Sequence, residues 1–68
     1  MKLHIVVGQN IRAIRKEKGW SQEKLAWRSE LSSNYLSSLE RGNVNISVDS
    51  LERIANSLGV ETKKLLEK

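Results

Sequence analysis

The chain has 68 residues, with 12 Lys and Arg against 8 Asp and Glu, a net charge of +4, and no Cys. That length holds one domain, near the size at which a single hydrophobic core barely suffices, and without Cys neither a disulfide nor a thiolate zinc site can staple it. Packing must hold the chain, and dimerisation would help.

The apolar run from Leu3 to Val7 is broken by His4 and ends at Gly8, too short for a signal peptide's hydrophobic region or a membrane span. A soluble cytoplasmic protein with no membrane partner is expected. The positive charge is uneven. Residues 1–28 carry Lys2, Arg12, Arg15, Lys16, Lys18, Lys24 and Arg28 against Glu17 and Glu23. A basic front on a small domain suits phosphate backbones, although a solvated helix face has the same composition.

In chain order, a first helix starts between His4 and Gly8 and runs to Lys18, with Val7, Ile11 and Ile14 spaced i, i+4, i+7 toward the core. Gly19 ends it. Arg12, Arg15 and Lys16 fall on its polar sides. Trp20 then precedes Ser21, an N-cap, and is expected near the core, packing on the stem of Lys24 or on Leu25 as a hydrophobic staple does. The second helix covers Gln22 to Ser29, with Leu25 and Ala26 on one face. Ala26 is small enough to let the next helix cross closely. Trp27 points partly away from that stripe and is expected half-buried, covering the helix pair. Exposed, it would offer a partner surface or an indole N–H for a phosphate.

A second N-cap, Ser32, opens a third helix with Leu36 and Leu39 at helical spacing, and Gly42 closes it. Asn43, Val44 and Asn45 form a loop. Ser47 caps a fourth helix whose buried stripe is Leu51, Ile54, Ala55 and Leu58, with Ile46 and Leu51 spaced as a staple and Gly59 as terminator. A last short helix from about Thr62 carries Leu65 and Leu66, which cannot both face the core easily.

Catalytic chemistry is scarce. The only His is His4, expected at the surface of a frayed helix start, and no phosphate-cradling glycine loop or metal-spaced ligand set is present. The chain reads as a non-enzyme with no cofactor, no metal and no small-molecule substrate.

Gly8-Gln9-Asn10-Ile11-Arg12, Arg15-Lys16-Glu17-Lys18-Gly19, Ser21-Gln22-Glu23-Lys24-Leu25-Ala26 and Tyr35-Leu36-Ser37-Ser38-Leu39-Glu40-Arg41-Gly42, followed by Leu51, Ile54, Ala55 and Leu58-Gly59-Val60, together resemble the helix-turn-helix family of lambdoid phage repressors and Cro proteins. The resemblance covers nearly the whole chain. It implies an all-α, five-helix, lambda-repressor-like DNA-binding domain over residues 1–68, with the helix-turn-helix at about 21–41. The sequence departs from the family pattern twice. Glu30 holds the turn position usually filled by Gly, which implies a disfavoured positive φ, and Ile46 replaces the usual Pro.

By this resemblance Ser32, Ser33, Asn34 and Ser38 face bases in the major groove. Asn34 carries the most sequence information, because Asn can read adenine through two hydrogen bonds whereas Ser has little base preference. The alternative for these residues is that Ser32 is only a cap and the rest are solvated. Phosphate contacts are expected from Gln22 and Arg41, with Tyr35 and Ser37 near a phosphate or the groove wall and Lys24, Arg28 and Arg15 as further candidates. The resemblance also pairs Arg15 with Glu40. The last helix often serves dimerisation in such proteins, and Val44, Ile46, Leu65 and Leu66 are the candidate interface residues.

The expected function is that of a sequence-specific, homodimeric transcriptional repressor on double-stranded DNA, with an inverted-repeat operator. Within the family a restriction-modification controller, which activates as well as represses, is the alternative subclass. A different class is an antitoxin-like protein-interaction module using Trp27 and the terminal leucines. Salt separates the classes, since phosphate binding weakens steeply with ionic strength and an apolar interface does not.

Overall fold

The structure, a computed structural model, describes residues 2–68. These form five helices: α1 (Leu3–Glu17), α2 (Gln22–Arg28), α3 (Ser33–Glu40), α4 (Val48–Leu58) and α5 (Thr62–Leu66). No strand occurs among the described residues. α1 starts earlier than its apolar spacing predicts, because Leu3, His4 and Ile5 continue the helix ahead of Val6 and Val7.

The serine caps are formed. Ser21 Oγ accepts from the Lys24 amide, Ser32 Oγ from the Tyr35 amide and Ser47 Oγ from the Ser50 amide, each at 3.1 Å. Each satisfies an amide that the first helical turn leaves without a carbonyl. Glu30 adopts φ 59° in the turn between α2 and α3, the one non-glycine residue with positive φ among those described.

The core is a single cluster drawn from all five helices. Val7 and Ile11 of α1 meet Leu25 and Ala26 of α2, Leu36 and Leu39 of α3, Leu51, Ile54, Ala55 and Leu58 of α4, and Leu65 of α5. Ile14, the third expected apolar position of α1, is only partly buried against it. Gly8 is buried where α1 crosses the end of α3, and a Cβ there would fall on the Leu39 carbonyl oxygen. This close approach explains a glycine inside a helix, where it otherwise costs stability.

Polar side chains tie the ends of the helices together. Asn10 Nδ2 donates to the carbonyl oxygens of Leu65 at 2.8 Å and Glu67 at 2.6 Å, fastening α5 to α1. Ser29, buried at the end of α2, bonds Ser57 of α4, Oγ to Oγ, at 2.9 Å.

Candidate nucleic-acid interface

α3 is amphipathic in the sense a recognition helix needs. Leu36 and Leu39 are buried and fix its back to the core, while Ser32 and Asn34 are exposed and Ser33, Ser37 and Ser38 are partly so. Ser32 uses its oxygen as the cap acceptor, which leaves its hydroxyl hydrogen for another partner. Tyr35 is half-buried and packs against the core. Short polar side chains thus stand at the N-terminal front of a helix whose axis is set by its apolar back.

The register of that helix is fixed by a buried ion pair. Arg15 Nε donates to Glu40 Oε2 at 2.8 Å and Arg15 Nη2 to Glu40 Oε1 at 2.9 Å, a two-pronged contact between α1 and the last turn of α3. Arg15 Nη1 donates to the Trp20 carbonyl oxygen at 2.7 Å. Glu40, through a side-chain hydrogen bond and then its charge, raises the Arg15 pKa above its ordinary value against the opposing cost of burial, so Arg15 stays cationic. Each guanidinium nitrogen thus has a partner inside the protein and the Arg15 side chain is only 9% exposed, and this burial removes Arg15 from the expected phosphate contacts.

Gln22 joins the same network, its Nε2 donating to Glu40 Oε1 at 3.0 Å. Its second amide hydrogen and its carbonyl oxygen keep their capacity for another partner. At the other end of α3, Arg41 is exposed and its Nη1 donates to Ser37 Oγ, at 2.6 Å. Lys24 and Arg28, exposed on α2, lie over the Trp20 ring, with Lys24 Nζ 5.1 Å and Arg28 Cζ 4.9 Å from its centroid.

Trp27 is 79% exposed. The expectation of a half-buried ring covering the helix pair is thus overturned. Its place on α2, past the Leu25 and Ala26 stripe, turns most of it to solvent at the end where the chain leaves for Glu30.

The dimer candidates are divided by the fold. Leu65 is fully buried in the protein's own core, so it is withdrawn from the interface, while its neighbour Leu66 is 37% exposed. The α5 backbone turns adjacent side chains about 100° apart, and only one of the two can face α1 and α4. Leu66 lines an open groove of about 360 Å³ together with Leu3, Val7, Ile46, Val48 and Leu51. Ile46 is half-buried there, whereas Val44 packs against the core without lining the groove. His4 also lines it and lies half-buried in the first turn of α1, where the sequence suggests a frayed surface position.

Sequence reasoning misses the Ser29–Ser57 bond, the Asn10 tether and the exposed Leu3 and Val48 of the groove. None carries a local signal: each depends on which distant segment is brought against it. No group of His, Cys, Asp and Glu gathers into a metal site among the described residues, and no helix there is long and apolar enough to cross a membrane.

A small all-α domain whose second and third helices form a capped pair, with polar residues at the front of the third, has the architecture of DNA-binding transcriptional regulators. Residues 11–65 match the family described as Helix-turn-helix, and the chain belongs to that family. It is similar to the control protein C.BamHI of Bacillus amyloliquefaciens, 44% identical over 66 residues that cover 96% of this chain and 82% of that protein. It is also similar to the immunity repressor protein of Bacillus phage phi105, at 40% identity over 62 residues, but spans only 43% of that protein while 91% of this chain is covered. Among solved structures, the restriction-modification controller protein C.AhdI from Aeromonas hydrophila superposes with a TM-score of 0.88 at 37% identity, covering 91% of this chain and 94% of that one. The chain is thus a helix-turn-helix transcriptional regulator, of a family that works by binding DNA and not by catalysis.

Proposed function

We propose that this chain binds double-stranded DNA as a homodimer, recognises an inverted repeat and regulates transcription by occupying it, with repression by promoter occlusion as the default outcome. One observation carries the reading: Ser33, Asn34 and Ser38 are displayed at the front of a helix that Leu36, Leu39 and the Arg15–Glu40 pair hold rigidly from behind. Asn34 reads an adenine edge, Ser32, Ser33 and Ser38 adjust to neighbouring bases, and Gln22 and Arg41 position the duplex through phosphates.

Dimerisation uses the groove of Leu3, Ile46, Val48 and Leu66, whose apolar side chains gain most if a second copy covers them. Two identical helices must then enter successive major grooves, which places half-sites roughly 34 Å apart. Activity in the cytoplasm follows from this role.

A second reading, a restriction-modification controller that activates as well as represses, is favoured by the similarity to C.BamHI and C.AhdI, of which the chain covers 82% and 94%. Selection of binding sites from random duplex DNA, followed by affinity measurement at two salt concentrations, tests the central proposal. An enriched inverted repeat with steep salt dependence is expected. A folded protein that enriches no sequence would instead support a protein-interaction module.

A further inference from the structure

Three cationic side chains from two segments converge on one ring. Lys18 Nζ, Lys24 Nζ and Arg28 Cζ lie 5.5, 5.1 and 4.9 Å from the centroid of Trp20. We infer that Trp20 gathers Lys18, Lys24 and Arg28 into a preorganised cationic shelf that grips DNA backbone phosphates beside those met by Gln22, apart from the recognition helix. The inference rests on the DNA-binding reading and deepens it by assigning a backbone contact beyond those of Gln22 and Arg41.

The charges of the shelf are unspent. All three side chains are exposed, and none forms an ion pair with a carboxylate among the described residues, although Glu17 and Glu23 are close in sequence. A half-buried indole needs one aliphatic stem to cover its face, and here it has three positive heads. Like charges brought together repel, and the negative face of the ring offsets only part of that. Phosphates of one strand laid against them, one to each charge, would relieve the repulsion and meet a guanidinium and two ammonium groups that the ring has already ordered.

The shelf is also fixed relative to α3. The Trp20 amide donates to the Arg15 carbonyl oxygen at 3.1 Å, and the Trp20 carbonyl oxygen accepts from Arg15 Nη1 at 2.7 Å. The same guanidinium grips Glu40 of α3. One side chain therefore sets both the ring that carries the shelf and the helix that reads bases, so the two contacts keep a constant spacing. A spacing of that kind fits a duplex, whose phosphates repeat regularly, better than a free anion.

The test compares the wild-type chain with the triple variant Lys18→Gln, Lys24→Gln, Arg28→Gln on the selected operator and on an unrelated duplex over a salt series, with thermal melting as the fold control. Each phosphate neutralised contributes roughly 0.9 to the slope of log affinity against log salt, so the variant's slope should be shallower by about 2 to 3. Both duplexes should lose affinity while base preference is kept. Single methylphosphonate linkages should also weaken the wild type at positions where they leave the variant unaffected. A folded variant with the wild-type slope and a superimposable interference profile overturns the inference, and leaves only a covering role for the three stems. If the triple variant does not fold, the three single substitutions carry the same test, each expected to lower the slope by about 0.9. A wild-type chain that binds no duplex removes the DNA reading itself, an outcome distinct from failure of the shelf.

Discussion

Arg15 and Glu40 meet through two hydrogen bonds of 2.8 and 2.9 Å, and the Glu40 side chain is 1% exposed. The pair is a polar link between α1 and α3, the helix proposed to read bases. Only Gln22 would remain to Glu40 if Arg15 were removed.

Arg15→Ala should therefore cost about 3 kcal/mol by leaving a buried carboxylate with too few partners. At about 4–8 °C per kcal/mol for a domain of this size, the melting temperature should fall by on the order of 15 °C. The double replacement Arg15→Met, Glu40→Leu should recover much of that loss, because no charge is then left unpaired. Thermal unfolding followed by circular dichroism reads both. If the single variant melts with the wild type, the pair is not a structural link.

Asn34→Ala should erase discrimination at one base pair of the half-site, worth about 1–3 kcal/mol between the preferred base and its competitors. Arg41→Ala should weaken every duplex alike and lower the salt slope by about 1. Competition binding against single-base operator variants separates the two effects. An Asn34 variant with unchanged operator preference takes base reading away from that residue.

The adjacent leucines of α5 should respond in opposite ways. Leu66→Glu, at the rim of the open groove, should leave the monomer folded and shift it toward the monomeric state in sedimentation equilibrium. Leu65→Ala should destabilise the fold by about 2–5 kcal/mol, the usual cost of a cavity in a core. A dimer that survives Leu66→Glu unchanged places the interface elsewhere.

Glu30 has φ 59° and a single ion pair, at 3.6 Å to Arg53, with a carboxylate that is mostly exposed. Such a contact stabilises little, whereas the left-handed backbone costs a residue with a side chain roughly 1–2 kcal/mol. Glu30→Gly should raise the melting temperature, by less than that full cost because glycine also gains freedom in the unfolded chain. A lower melting temperature would mean that the turn is not strained.

Much of the fold was legible in the sequence because its signals are local. Serine caps at 21, 32 and 47, glycines after three of the helices and apolar residues at helical spacing each act within one or two turns, so the five helices follow from neighbouring residues. The resemblance to the helix-turn-helix family added the polar front of α3 and the Arg15–Glu40 pair. Tertiary structure alone decided which residues remain available for function. It turned Leu65 inward and Leu66 outward, buried Arg15 against Glu40 and the Trp20 carbonyl, exposed Trp27 and collected Lys18, Lys24 and Arg28 on Trp20. The physical reason is the same in each case: a side chain's burial and partners depend on segments distant in sequence, and helical periodicity tells which residues share a face without telling what that face will meet.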